Sequence, residues 1–199
     1  MTKKIYTIDD TSQMDWAEFG KILDALTKKL EDYQKENNIK FDIIAPILRN
    51  GGIPAIAIAN RLQITRFLPV QVKYTYDKDN PKKTELKQLL SLPEILQETP
   101  DNPNILVCEV NTGSGQSANK SIELIKEKYP TSTIYYATVA KTYGGPDNLE
   151  HVKEYFWGIQ TNEHFKVSED EAKCLGLRSK ITIFPWETAE FELADINAG

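Results

Sequence analysis

Residues 104–125, NILVCEVNTGSGQSANKSIELI, set a nearly continuous apolar run directly before a glycine-rich turn and a helical stretch. An apolar run of strand length without polar alternation suits a strand covered on both faces. The stretch 117–129, SANKSIELIKEKY, has helical periodicity. Between them lies NTGSGQS, 111–117, which departs from a nucleotide-binding P-loop at two fixed positions: Val110 stands at the first glycine and Gln116 replaces the lysine. With that charge gone, ATP is not the expected ligand. Gly113 and Gly115 still relieve the turn of side-chain bulk, so its N–H groups, with the hydroxyls of Thr112, Ser114 and Ser117, suit an anion at the start of a helix.

The same order of strand, loop and helix occurs upstream, in FDIIAPIL (41–48), RNGG (49–52) and IPAIAIANRL (53–62). FLPVQVKY (67–74) alternates like a strand, TIYYATVA (133–140) is a further strand, and YFWGIQ (155–160) another. Strands alternating with helices at this spacing predict βαβ units: an α/β domain with a central, mostly parallel sheet flanked by helices. From Trp16, the residues Phe19, Leu23, Leu26, Leu30 and Tyr33 continue at helical spacing behind Asp15 as the cap, a flank on the core. The connection 77–104 is polar at both ends, with a short helix expected at 86–90, and its length marks either a functional lid or disordered padding.

The 199 residues fit one domain. A net charge of −5 disfavours nucleic acid and anionic lipid as partners, and no apolar stretch reaches membrane-spanning length, so a cytoplasmic protein with a small ligand is expected. Cys108 and Cys174 lack metal or redox spacing and read as reduced thiols. His151 and His164 have no ligand spacing and read as surface residues.

In an open parallel sheet, ligands sit beyond the carboxyl ends of the strands. RNGG also follows a strand and precedes a helix, and it adds the cation Arg49. Two anion-suited loops at one sheet edge imply a ligand with two separated phosphate groups. Glu109 ends an apolar strand, where an unpaired buried carboxylate is costly, so its place beside the loop points to a hydroxyl or metal-linked role.

On these motifs, over residues 41–187, the sequence resembles the type I phosphoribosyltransferases, and within them the 6-oxopurine branch. The resemblance implies that Thr112, Gly113, Ser114, Gly115, Gln116 and Ser117 hold the 5′-phosphate of phosphoribosyl pyrophosphate, and that Arg49, Asn50, Gly51 and Gly52 hold its pyrophosphate. It implies that Thr75 and Tyr76, in YTYD, begin the lid and close over the departing group, and that Glu109 binds ribose hydroxyls and touches Mg2+ only indirectly. Lys141, in TVAKTY, with Phe156 and Trp157 in EYFWG, and Ile181 ahead of FPWE, would meet the base. The C-terminal segment would form a small hood, dividing one domain into a helical flank (1–40), a core (41–141) and a hood (142–199). Partners would be phosphoribosyl pyrophosphate and a purine base, and this family often pairs into homodimers.

Four features depart from the family pattern, the first being the extra Asn50 in RNGG relative to Arg-Gly-Gly. Cys108-Glu109 stands where two acids are usual. The catalytic Asp of the family falls on Asn111 or on Thr112, depending on register, and neither is an acid. Ile181 occupies the place of a base-stacking aromatic. The expected activity is transfer of the phosphoribosyl group to a 6-oxopurine with release of pyrophosphate. A non-catalytic nucleotide-binding regulator of the same fold, or a transferase for another base, are the alternatives.

Overall fold

A computed structural model describes residues 5–76 and 84–198. After a short 3-10 turn, Ile8–Asp10, the elements are β1 (Thr11–Gln13), α1 (Trp16–Asn37), β2 (Ile43–Pro46), α2 (Gly52–Leu62), β3 (Arg66–Phe67), β4 (Gln71–Tyr76), β5 (Thr84–Leu90), β6 (Asn104–Thr112), α3 (Gln116–Lys128), β7 (Thr133–Thr142), β8 (Val152–Thr161), α4 (Glu169–Cys174), β9 (Ile181–Ile183) and α5 (Ala189–Ala198). The central sheet has five strands in the order β3-β2-β6-β7-β8, and every pairing in it is parallel. The expected α/β class with a mostly parallel sheet is the one found.

Alternate residues of the strands feed two separate cores, which is why these strands are apolar without alternation. Ile44, Leu106, Cys108, Tyr135 and Ala137 pack with Phe19, Leu23, Leu26 and Leu30 of α1 and Ala55 and Ile58 of α2. Ile43, Ala45, Ile105, Val107 and Tyr136 pack with Ala118, Ile122 and Ile125 of α3. The Asp15 carboxylate accepts the Glu18 N–H at 2.7 Å, capping α1 as its sequence predicts. Trp16 leaves the predicted stripe: it is exposed and meets Trp186 at 5.7 Å between ring centroids.

Two expectations need correction. Residues 86–90 are not helical but belong to β5, antiparallel to β4. Leu86 packs on the core while residues 87–90 are exposed, and the hairpin partner supplies hydrogen bonds that a lone helical turn would lack. The hood also takes both chain ends rather than the C-terminal segment alone, because β1 pairs in parallel with β9, Thr11 opposite Ile181. Residues 77–83, the tip expected to form the lid, lie outside the described residues.

Candidate functional site

The carboxyl ends of β2 and β6 open on one cleft of about 500 Å³, roofed by β9 and α5. At the end of β2, the Ile47 N–H bonds to the Cys108 carbonyl at 2.9 Å and the Leu48 N–H to Val70 at 2.7 Å, fixing the turn against both neighbouring strands. The Leu48–Arg49 peptide is cis. Gly51 is required: a Cβ there would lie 2.5 Å from the Cys108 carbonyl oxygen and 2.6 Å from that of Ile47. Arg49 projects into the cleft, its guanidinium 5.9 Å from the centre of the Phe191 ring. The Asn50 amide donates to Glu187 at 2.6 Å. The N–H groups of Gly51 and Gly52 point to the carbonyls of Ile47 and Arg49, both at 3.0 Å. Of the four residues expected to grip pyrophosphate, Arg49 and Asn50 therefore face the cleft with their side chains, whereas the two glycines shape the turn.

After β6, residues 112–117 all line the cleft. Gly115 carries φ of +77° and, having no side chain, cannot cap α3; the Gln116 N–H makes a long contact of 3.5 Å to the Ser114 hydroxyl instead. A Cβ on Gly115 would lie 2.8 Å from Leu149. The Thr112 hydroxyl is buried and bonded to the Tyr136 hydroxyl at 2.9 Å. The Gln116 side-chain amide oxygen accepts from the Tyr74 hydroxyl, tying β4 to the turn.

Four glutamates, Glu109, Glu163, Glu187 and Glu192, line the same space. Burial pushes Glu109 up to about 8, against the pull of the Val110 N–H, and Glu187 adds to the rise. Burial likewise lifts Glu187 to about 7; the Phe184 N–H and Arg49 oppose this, while Glu192 and Glu163 reinforce it. Glu163 accepts from the Asn111 amide, 3.0 Å to each oxygen, and from the Thr142 hydroxyl at 2.5 Å. Asn111, expected as a catalytic position, thus serves a second side chain. Ile181 is buried in β9 and lines the cleft.

The remaining base-side residues stand elsewhere. Lys141 is buried, its ammonium 2.6 Å from Asp147 and 4.5 Å from the centre of the Trp157 ring. Phe156 belongs to the core, 5.1 Å from Tyr33. Neither of these, nor Trp157, is among the residues lining the cleft. The Thr75 hydroxyl bonds to the Glu85 carbonyl at 3.2 Å across the β4–β5 hairpin. Tyr76 ends β4, and the role expected of its side chain lies outside the described residues.

Glu163, His164, Glu187 and Lys73 line the cleft without having been singled out as site residues. For Glu163 and His164 the signal was present: they follow the strand YFWGIQ at the same carboxyl edge that marked the other two loops. His164 is exposed, as expected of it, yet its ring lies against Gly113. Glu187 closes FPWE, but only the folded hood brings it to Asn50.

Residues 15–173 match the family model described as a phosphoribosyl transferase domain. Among solved structures, the chain is similar to a purine phosphoribosyltransferase from Pyrococcus horikoshii Ot3, at 18% identity over 90% of this chain and 95% of that one, with a TM-score of 0.63. It is also similar to a hypothetical protein from Neisseria gonorrhoeae with bound ppGpp, at 19% identity, 97% and 98% coverage and a TM-score of 0.63. The Helicobacter pylori xanthine-guanine-hypoxanthine phosphoribosyltransferase shares 14% identity over 93% and 99%, with a TM-score of 0.59. A search of curated proteins returned no match.

Proposed function

Because the chain belongs to the phosphoribosyl transferase domain family, we propose that it moves the phosphoribosyl group from phosphoribosyl pyrophosphate to a purine base of the 6-oxopurine class, releasing pyrophosphate. The supporting observation is that the Arg49 turn and the start of α3 open on one cleft of a size for a sugar donor with phosphate groups at both ends. The turn 112–117 would hold the 5′-phosphate through main-chain N–H groups. Arg49 and Asn50 would hold the pyrophosphate, and Glu109 the ribose hydroxyls. Ile181 would cover one face of the base. Lys141 turns away from the cleft toward Asp147 and Trp157, so it would meet the base oxygen only on leaving that pairing.

Among the described residues no three acidic, histidine or cysteine side chains converge as a metal cage. A Mg2+ ion would be held mainly by the donor's own oxygens and water, as Mg2+ commonly binds phosphates, with Glu109 contributing only indirectly. Bound there, it would neutralise the departing pyrophosphate.

Pyrophosphate release, measured with Mg2+, the donor and a panel of bases, tests the reading. Release with hypoxanthine, guanine or xanthine supports it, and release only with another base shifts the substrate class. The second reading, a nucleotide-binding regulator, draws on the amide at Asn111 and the proton held by Glu109. The Neisseria gonorrhoeae structure with bound ppGpp shows such a ligand on a similar fold. Tight binding of the donor or of ppGpp by calorimetry, with no release for any base, would favour it.

A further inference from the structure

The turn after β8 is built around Asn162, which is buried, accepts from the N–H groups of Lys166 and Val167 at 2.9 and 3.3 Å, and donates to the Val167 carbonyl at 2.8 Å. That framework sends the next residue, Glu163, into the cleft. Its carboxylate receives hydrogen bonds from Asn111 and Thr142, the pattern of a group that only accepts. The amide orientation of Asn111 follows from this contact: a flipped amide would set its oxygen against the carboxylate, and as placed that oxygen is buried without a partner.

We propose that Glu163 is the proton acceptor of the transfer, a catalytic residue, with Asn111 and Thr142 as its positioning residues; this rests on the transferase reading above. A ring nitrogen of the base attacks C1′ with its lone pair. The bond from C1′ to the pyrophosphate oxygen breaks, and its electron pair leaves with pyrophosphate. The proton on the other nitrogen of the five-membered ring passes to the Glu163 carboxylate. Atoms and charge balance without a further reactant.

The other cleft glutamates are less suited, Glu192 because it stands on α5 in the roof of the cleft. Glu109, pushed up to about 8 by burial, already holds a proton near neutrality. Glu187 is lifted to about 7 by burial and bridges the Asn50 amide at 2.6 Å and the Phe184 N–H at 2.9 Å, so its place is between hood and turn. Glu163 is held by side chains on β6 and β7, beside the phosphate-holding turn, and remains partly open to the cleft. Rigid support of this kind is what a proton acceptor requires.

Steady-state pyrophosphate release by the full chain and by Glu163→Gln, Glu163→Asp and Thr142→Val provides the test. Glu163→Gln is expected to lower kcat about 100-fold, within the usual range for loss of a general base, with donor KM and melting temperature unchanged. Glu163→Asp keeps an acid and regains part of kcat. Thr142→Val, which touches no ligand, lowers kcat less, with the same split between kcat and KM. A Glu163→Gln protein with wild-type kcat, or one altered only in donor KM, overturns the proposal and leaves the transferase reading standing. No turnover of the wild-type protein with any base removes that reading and the proposal together.

Discussion

Glu109 shows how one side chain connects burial to function. Its neutral form is favoured in the folded protein up to about 8, whereas in the unfolded chain it titrates at the ordinary 4.5. Folding therefore takes up protons between these values, so the stabilisation is present at low pH and fades as pH rises through that window; Glu187, lifted to about 7, adds the same sign. The melting temperature should fall as pH rises from 4.5 toward 8, and Glu109→Gln, which retains an acceptor for the Val110 N–H, should flatten that fall. Thermal denaturation across this range checks it. A pH-independent wild-type melting temperature would show that Glu109 is solvated like an ordinary surface acid. Asp147 offers the converse case. The Lys141 ammonium holds it below the usual carboxylate range, yet it stands exposed. Asp147→Asn should leave the melting temperature nearly unchanged and lower KM for the base if Lys141 serves the base; an unchanged KM would assign Lys141 to the packing under Trp157.

At the level of elements, the site depends on how tightly two turns lie against the strand ends. Gly51 has backbone carbonyls on either side of its missing Cβ, and neither can swing aside as a side chain would. Gly51→Ala should cost about 1–3 kcal/mol, as overpacking does, seen as a lower urea midpoint, and should weaken donor binding by moving Arg49. Gly115 combines the +77° backbone with a close approach to Leu149 and Pro146. Gly115→Ala should raise donor KM more than it lowers stability, because the strain falls on the turn that presents the N–H groups. Donor calorimetry on the folded variant checks this, and wild-type affinity would mean that the turn does not hold the phosphate. These glycines were legible in the sequence as turn signals, but only the structure shows that Gly51 answers to Cys108 on another strand. The 86–90 segment was misread for a related reason: short apolar spacing fits helix or strand, and the hairpin partner decides.

Across the whole molecule, Arg178 ties the two chain ends of the hood to each other and to α1. Its guanidinium pairs with Glu18 and donates to the Gln13 carbonyl at 2.8 Å and the Ser12 hydroxyl at 3.0 Å. Arg178→Ala should cost about 2 kcal/mol, the scale of hydrogen bonds made by a charged group, and should raise KM by loosening β1 and β9 over the cleft. Unchanged kinetics and stability would show the hood to be held by Phe184 and Trp186, which stack at 5.5 Å, instead. The sequence by itself determined the parallel sheet, the helices on its two faces and the two anion-suited turns, since apolar periodicity and glycine placement are local and each element carries its own signal. Only the tertiary structure decided which residues share the cleft. Glu163 meets Asn111 across 52 positions and Glu187 meets Asn50 across 137, while Lys141 and Phe156 turn away from the cleft into packing of their own. Such pairings depend on strand order and on which face of the sheet each residue takes, and no local periodicity encodes either.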